Sequence, residues 1–403
     1  MSSVSAAPSG WPAVRYETLP WTGARLTNLV PRRQLRRIQG PYEAAVVPEI
    51  AARNLALPTE VLTVAEEAAN EVARFDADLG GEIAPFAAVL LRSESAASSQ
   101  IENLTASARA IAEAELGVTG KRNAVQIVAN TRAMDAALAL ADRLDAASIL
   151  AMHHALMVDT EPEMAGRWRT EQVWIGGGDL GPHGAQFVPP QQSRIEPAIA
   201  DLVAFIRRDD LPVLVHGAVA HAQFETIHPF PDGNGRTGRA LLHAMLRNKR
   251  LTRNVTVPVS AGLLTNTSAY FDALTAYRLG DPAPMVTRLA DAAFAAVVNG
   301  RRLVDELRTI RGGWNERVTA RRDSSTWRVA DFLMRHPVVD AQLLTAELNI
   351  PPNNVYRYLE PLERAGVLIE FTDRRRNRAW RSAEILAALD AFAARAGKRR
   401  LSG

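Results

Sequence analysis

The chain has 403 residues, of which 47% are hydrophobic and 23% charged, so it is long enough for two or three domains and too apolar for wholesale disorder. It contains no cysteine, which excludes disulfides, thiolate nucleophiles and cysteine-based zinc sites. It has no run of eighteen apolar residues, and its N-terminal sequence lacks a basic stretch followed by an apolar block. We therefore expect no membrane span, no secretory signal and a cytoplasmic location.

The formal net charge of +3 is distributed unevenly along the chain. Residues 301–403 contain 20 Lys and Arg against 13 Asp and Glu, a net charge of +7, which leaves −4 on the rest. A basic C-terminal third predicts that any bound polyanion contacts that end, although a solvated basic surface explains the count equally well.

The first 300 residues divide into two stretches of different composition. Residues 1–84 are rich in proline and predict an N-terminal region with two or three short helices. In residues 85–300 apolar side chains recur every three or four positions, which predicts a helical core. The clearest helical segments are 122–142, 143–156, 194–207, 213–227, 237–250 and 283–304. Residues 166–190 interrupt this pattern with two extended pieces around a Gly/Pro-rich loop, which predicts a β-hairpin.

The C-terminal third changes pattern after a predicted linker helix at 301–322. Short helices are predicted at 325–335 and 340–348, and a third helix ends at Gly366. Two strand candidates then flank an Arg-rich turn, so residues 323–385 resemble a winged helix-turn-helix. The resemblance implies Asn353, Asn354 and Arg357 on the recognition helix, and Arg374, Arg375 and Arg376 in the wing. Both DNA binding and protein binding remain open for this module, and residues 386–403 are predicted to form a basic tail.

Residues 228–239 carry the strongest chemical signal, with the sequence His-Pro-Phe-Pro-Asp-Gly-Asn-Gly-Arg-Thr-Gly-Arg. Pro229 disfavours helical geometry in the residue before it, so the preceding helix is predicted to stop near Ile227. The Asp-Gly-Asn-Gly sequence allows backbone N–H groups to point into one concavity, which the positive end of the next helix also faces.

Four side chains in this segment give the concavity a chemistry. Arg236 and Arg239 lie three residues apart on the first helical turn, where both can reach an anion. Asp232 suits Mg²⁺ and His228 suits a general base beside phosphates. The glycines alone could belong to an ordinary helix–helix turn, but the four polar residues at these spacings predict a phosphate-binding site.

The segment is similar to the signature of the Fic family, HPFx(D/E)GNGRxxR, and it meets every specified position. The resemblance covers residues 85–300 and implies a mainly α fold, with a Fic-type helical core and the 166–190 hairpin as a flap that clamps a target segment. Residues 260–280 resemble the family's helix that supplies an aromatic residue to the nucleotide base. The family's frequent Tyr-Tyr pair is Tyr270-Phe271 here, and an ordinary core position is the alternative for Tyr270.

The resemblance implies transfer of AMP from ATP to a Ser, Thr or Tyr hydroxyl of a target protein, which includes the chain itself. His228 would be the catalytic base, and Asp232 would hold Mg²⁺ or Mn²⁺ against the phosphates. The implied nucleotide-binding residues are Asp232, Gly233, Asn234, Gly235, Arg236, Thr237, Gly238, Arg239, Ile175, Gly176, Gly177 and Tyr270. Among them Asn234 would stabilise the α-phosphate, Arg236 the β-phosphate and Arg239 the γ-phosphate.

Residues 98–103 resemble the inhibitory motif of one class of the family, [ST]xxxE[GN]. Ser98, Glu102 and Asn103 occupy its specified places, on an inhibitory helix predicted at about 90–115. The resemblance implies that the Glu102 carboxylate competes with the γ-phosphate for Arg239. A chance glutamate on a helix surface is the alternative.

Other functions remain open at this stage. The chain could be a DNA-binding regulator whose Fic-like core only senses nucleotide, or the same site could remove AMP from a target. The family resemblance predicts a homodimer, whereas the sequence does not identify the target protein. His153, His154, His216 and His221 lie on helical segments and are interpreted as structural.

Overall fold

The computed structural model describes residues 10–21, 40–79, 83–118, 120–178, 180–372 and 378–397. The strands are β1 Arg15–Leu19, β2 Tyr42–Val46, β3 Val338–Asp340, β4 Ile369–Glu370 and β5 Ala379–Arg381. The helices are α1 Thr59–Asp78, α2 Ile83–Ile101, α3 Ala108–Glu115, α4 Arg122–Ala139, α5 Ala146–Met157, α6 Ile195–Ile206, α7 Val213–Ile227, α8 Asn234–Asn248, α9 Val259–Leu264, α10 Thr267–Arg278, α11 Ala283–Arg317, α12 Ser325–Leu333, α13 Ala341–Leu348, α14 Pro352–Arg364 and α15 Ala383–Gly397. The predicted mainly α class is confirmed, and no described helix has the length and apolar character needed to cross a membrane.

The chain forms two compact units. The first contains the described residues of Met1–Glu66, Ala136–Asn248 and Ser268–Leu289, and the second those of Glu67–Asp135, Lys249–Thr267 and Ala290–Gly403. The predicted core at 85–300 is thus divided between the two units, because segments distant in sequence pack together within each.

Helix α7 forms the centre of the first unit, where Leu214–Ile227 are all buried. Helix α8 packs closely against it because Gly238 has no side chain. A Cβ atom at Gly238 would lie 2.8 Å from the Glu225 Oε1 atom and 2.8 Å from the Phe224 ring. This close packing fixes the loop that joins α7 to α8, where the predicted site lies.

The N-terminal region was predicted to contain two or three short helices, and the structure differs from this prediction. It contains the antiparallel pair β1–β2, with Arg15 opposite Val46, and the single long helix α1. The Ala45 N–H donates to the Val188 carbonyl oxygen at 2.9 Å, so β2 bonds to the segment that follows the hairpin. This bond joins the β1–β2 pair to a residue 143 positions away, which local sequence does not reveal.

The second unit contains a buried carboxylate on α2. Glu94 is fully buried and accepts hydrogen bonds from both the backbone N–H and the hydroxyl of Ser260, at the start of α9. Helices α2, α3, α9 and α15 pack together in this unit.

The helix predicted as a linker at 301–322 begins earlier in the structure, at Ala283. Residues 283–317 form one continuous helix, α11. Gly300 lies inside this helix and packs on the Phe75 ring, and a Cβ atom at Gly300 would lie 3.0 Å from the Phe75 Cζ atom. A glycine in this position serves close packing and does not end the helix.

The C-terminal segment has the order α12, β3, α13, α14, β4, β5, with a three-stranded antiparallel sheet in the order β3-β5-β4. The sequence predicted only two strands, because β3 is three residues long and runs directly into the Asp340 cap of α13. Arg374, Arg375 and Arg376 lie outside the described residues.

The predicted basic tail at 386–403 is wrong for its first part. Residues 383–397 form helix α15, since Ile385, Leu386 and Phe392 recur at helical spacing and are buried. Residues 398–403 lie outside the described part of the chain.

Candidate active site

His228 ends helix α7 in a left-handed conformation, with φ 50° and ψ 60°. This conformation is uncommon for a residue with a side chain, and the Pro229 that follows disfavours the helical alternative. The His228 N–H donates to the Phe224 carbonyl oxygen at 2.9 Å, so the residue still caps the helix. The predicted end of the helix near Ile227 is confirmed.

Asn234 closes the loop with both ends of its side-chain amide. Its Oδ1 atom accepts from the Phe230 N–H at 2.8 Å, and its Nδ2 atom donates to the Phe230 carbonyl oxygen at 2.8 Å. The structure thus shows Asn234 holding the loop, while its predicted contact with an α-phosphate stays a prediction.

Gly233 is required by both conformation and space. Its φ is 77°, and a Cβ atom would lie 2.9 Å from the Leu156 Cδ2 atom. Its carbonyl oxygen accepts the Thr237 N–H at 2.9 Å, which begins the bonding of α8. Gly235 lies in the first turn of α8, and Gly238 serves the packing of α8 on α7.

The charged side chains of the site differ in exposure. Arg236 and Arg239 are 4% and 1% exposed, whereas the Asp232 side chain is 59% exposed. The Asp232 Oδ2 atom lies 3.4 Å from the Arg236 Nη2 atom. The buried Arg236 guanidinium therefore lies beside one exposed carboxylate, and the buried Arg239 follows three residues later on α8. Two cations and a carboxylate suit an anionic ligand that carries a metal ion.

Asp232 fits a divalent metal ion by its chemistry. The described residues contain no group of three or more His, Asp or Glu side chains that could form a closed metal site. Mg²⁺ needs no such site, because it keeps several waters and is held by one or two carboxylates together with substrate phosphates.

The His228 imidazole is neutral, as a general base must be before it accepts a proton. Burial, together with the nearby cations of Arg278 and Arg169, lowers its pKa to about 3, although a fifth of the side chain is exposed. The imidazole is therefore neutral near pH 7 and free to accept a proton. Its Nδ1 atom lies 4.0 Å from the Glu225 Oε2 atom, which is too long for a hydrogen bond.

Arg169 is a residue of the site that sequence reasoning missed. It is 3% exposed, and its guanidinium donates to the carbonyl oxygens of His228 at 2.9 Å, Glu171 at 3.1 Å and Pro190. Its own N–H donates to the Pro229 carbonyl oxygen at 3.0 Å. Arg169 thus joins both ends of the hairpin to the His228 loop, and no local motif marks it because it lies 59 residues from His228.

His153 supports the same loop from α5. Its Nδ1 atom accepts the Gly166 N–H at 3.0 Å, so its Nε2–H donates to the Asp232 carbonyl oxygen at 3.1 Å. The ring stacks on Phe230 with 3.7 Å between centroids, and burial lowers its pKa to about 4. The structural interpretation of His153 is confirmed, and the structure adds its contact with the loop.

Within the predicted hairpin at 166–190, the described residues form a single bridge, between Ile175 and Phe187, and no strand. The Ile175 N–H donates to the Phe187 carbonyl oxygen at 2.8 Å, and the bond back to the Ile175 carbonyl comes from Gln186. Gly176 and Gly177 have φ values of 72° and 77°, so both use the freedom of glycine. The Arg278 guanidinium lies 3.8 Å from the centre of the Phe187 ring.

Tyr270 is buried in the first unit. It is 1% exposed, and its hydroxyl lies 2.8 Å from the His221 Nε2 atom. This is the core position that sequence analysis gave as the alternative, so a contact with a nucleotide base stays a prediction. The neighbouring Phe271 is 51% exposed.

The residues of the inhibitory motif lie in the second unit. The predicted helix at 90–115 is two helices, because α2 ends at Ile101 and Asn103 is left-handed with φ 61°. Ser98 is buried, whereas Glu102 and Asn103 are exposed in the turn that follows α2.

Buried histidines make the stability of the protein depend on pH. Burial lowers the pKa of His153 to about 4 and that of His221 and His228 to about 3. Between these values and about 6.5 the unfolded chain binds protons that the folded chain does not, so stability falls as pH falls. Each histidine contributes at most about 1.4 kcal/mol per pH unit.

We expect the free energy of unfolding from denaturant titrations to decrease from pH 7 to pH 5. His153→Gln should flatten this dependence, while His154→Gln, at an exposed neighbour, should leave it unchanged. A free energy equal at both pH values would contradict the neutral state of the three buried rings.

Comparison with known proteins agrees with this geometry. Residues 143–246 match the model of the Fic/DOC family. The chain is 29% identical over 159 residues to the protein adenylyltransferase fic-1 of Caenorhabditis elegans, which is 39% of this chain and 28% of that protein. It is 38% identical over 88 residues to the probable protein adenylyltransferase aq_aa38 of Aquifex aeolicus, which is 20% of this chain and 28% of that protein.

The chain thus spans less than a third of the length of these curated relatives. A solved structure of a Fic family protein from Desulfovibrio desulfuricans G20 shares the fold over 82% of this chain and 97% of that chain, with a TM-score of 0.53 and 23% identity. The family match covers the loop, the two arginines of α8, His153 and Arg169. Residues 143–246 of this chain are therefore similar to a Fic/DOC family domain.

Proposed function

We propose that the chain is a protein adenylyltransferase that transfers AMP from ATP to a hydroxyl group of a target protein. The observation that carries the proposal is a neutral imidazole, His228, on the loop that opens α8 with its two buried guanidinium groups. The relatives named protein adenylyltransferase support the same reaction.

The reaction follows from these groups. His228 takes the proton from a Ser, Thr or Tyr hydroxyl, and the oxygen attacks the α-phosphorus of ATP. The bond between the α-phosphorus and the oxygen that bridges to the β-phosphate breaks, and pyrophosphate leaves with that oxygen. Arg236 and Arg239 bind the departing phosphates, and the N–H groups at the start of α8 bind oxygens of the α-phosphate.

Asp232 is the residue that would hold Mg²⁺ or Mn²⁺ in this site. When bound, the ion neutralises phosphate charge. The exposure of the Asp232 carboxylate, 59% of the side chain, supports this role.

His228→Ala tests the proposed base. We expect the variant to bind ATP but to lose about 10²–10⁴-fold in transfer, because the imidazole serves the hydroxyl and not the nucleotide. Labelled ATP with Mg²⁺ and host lysate measures the transfer, and His154→Ala is the control on an exposed histidine. Undiminished labelling by His228→Ala would show that another group accepts the proton.

Arg169→Met tests a positioning role. The variant removes three bonds to carbonyls and one cation near His228, so we expect transfer to fall about 10–100-fold. The pKa of His228 should also rise, because Arg169 contributes to lowering it. The acid limb of the pH–rate profile should therefore move to higher pH. A variant that loses activity with an unchanged pH profile would indicate a structural role only.

We propose further that Glu102 restrains the transfer. A carboxylate that pairs with the Arg239 guanidinium excludes a γ-phosphate from it, and Glu102 is the carboxylate that the sequence motif designates. The match of Ser98, Glu102 and Asn103 to that motif supports this role. With its phosphates displaced by about 1 Å, ATP would react on the order of 10²-fold more slowly.

Glu102→Gly should therefore raise self-labelling or target labelling at matched ATP and Mg²⁺. Glu102→Gln should raise it too, because the substitution removes the charge and keeps the size. Equal or lower labelling by both variants would refute the restraint. If modified target accumulates only because its removal has stopped, Glu102 serves the reverse reaction.

A second function, DNA binding, is favoured by the C-terminal segment. Its helix–strand–helix–helix–strand–strand order agrees with the predicted winged helix, and residues 301–403 carry a net charge of +7. Asn353 and Arg357 are exposed on α14. We expect DNA affinity to fall steeply with added salt as counterions are released. Arg357→Ala should weaken binding, and an absence of binding at low salt in an anisotropy assay would favour a protein partner.

A further inference from the structure

The second unit contains a pocket between α2, α3 and α15. Its walls include Ala96 and Ala97 of α2, Ile111 and Ala112 of α3, and Phe392 and Ala396 of α15; we call it the alanine pocket. Its volume of about 80 Å³ is several times the ~10–15 Å³ that one water needs. The pocket exists because alanines stand where three helices meet, and larger side chains would fill the space.

One side of the alanine pocket is the turn that carries Glu102. Leu104, Thr105 and Ala106 line the pocket directly after this turn. Three backbone hydrogen bonds hold the turn, each 3.0 Å long. The Glu102 and Leu104 N–H groups donate to the Ser99 carbonyl oxygen, and the Asn103 N–H donates to the Gln100 carbonyl oxygen. A molecule in the pocket therefore touches the segment that fixes the backbone of Glu102.

The charged groups around the alanine pocket already have partners. The Arg92 Nε atom lies 2.6 Å from the Glu115 Oε1 atom, and the same guanidinium donates to the Arg335 carbonyl oxygen. The Asp390 Oδ1 atom accepts the Ala108 N–H at 2.8 Å. A charged ligand would have no counter-ion here, so the pocket suits a neutral molecule.

One polar group in the wall lacks a partner. Ser93 is 6% exposed, and its hydroxyl has no hydrogen bond to any of the described residues. On the same helix the Ser95 and Ser99 hydroxyls each donate to the carbonyl four residues back, at 2.9 Å. An unpaired buried hydroxyl is costly, and a ligand with one hydrogen-bonding group would relieve that cost.

We propose that the alanine pocket binds a small, neutral, mainly apolar molecule with one hydrogen-bonding group, and that this ligand moves the Glu102 turn and raises AMP transfer. The second part rests on the proposed restraint by Glu102. The ligand acts by binding more tightly to the state in which Leu104 and the turn have shifted outward, so it increases the population of that state. Arg92, on the α2 wall of the pocket, donates to the Arg335 carbonyl oxygen and so joins α2 to the C-terminal segment beside the ligand.

Binding is tested first, on the full chain, with indole, phenol and cyclohexanol as probes. We expect at least one to bind with a dissociation constant below about 10 mM in calorimetry and to raise the melting temperature. Ala393→Leu, at the exposed rim, and Ala97→Leu, in the wall, should each weaken binding about tenfold or more by filling the space. Ser93→Ala should weaken it several-fold.

Ala387→Leu is the matched control, because it is an exposed alanine of α15 outside the pocket, and it should leave binding unchanged. No binding of any probe, or binding that survives Ala393→Leu, would overturn the ligand site. Ala393→Leu decides this even if Ala97→Leu fails to fold.

Coupling is tested by AMP transfer with the bound probe at saturation. We expect labelling to rise about fivefold or more in the wild type and to stay constant in Glu102→Gly. An equal rise in both proteins would overturn the coupling through Glu102. If Glu102→Gly labels no better than wild type without a probe, the restraint itself fails, while the binding measurements still decide the ligand site.

Discussion

The side-chain amide of Asn234 ties both backbone groups of Phe230, and this closure sets the geometry of the first unit's site. It holds a tight loop between two helices whose contact is fixed by Gly238. This closure holds the short segment between His228 at its start and the first turn of α8 at its end. The strained backbone of His228 persists because Arg169 binds its carbonyl and Pro229 blocks the helical alternative.

Buried cations give this loop its electrostatic character. Burial lowers the pKa of Arg169 to about 10, so it remains charged near neutral pH, and its guanidinium donates to three carbonyl oxygens. The cost of burying this charge is offset by charge-assisted hydrogen bonds that join the hairpin to the loop. The same charge, with that of Arg278, favours a neutral His228, so one group supports both position and protonation.

In the second unit, the turn after α2 carries Glu102 and also adjoins the alanine pocket. The turn after α2 ends a helix with Asn103 in the left-handed conformation, exposes Glu102 and lines the alanine pocket with the residues that follow. Its few backbone bonds make it easier to move than the helices around it. A ligand or a change in the C-terminal segment would therefore act on this turn before it acted on α2 itself.

The sequence by itself determined the helices of the core, because the spacing of apolar residues along the chain is a local property. Helices α4 to α8 lie close to the ranges that this spacing predicts. The sequence also located the loop 228–239, since proline and glycine restrict the backbone wherever they occur. Tertiary structure alone decided how the β1–β2 pair joins Val188, and the role of Arg169, which depends on the carbonyls of His228 and Pro190. It also placed Tyr270 in the core beside His221. In each case the deciding partner is distant in sequence, and a hydrogen bond between distant residues leaves no periodic signal in the chain.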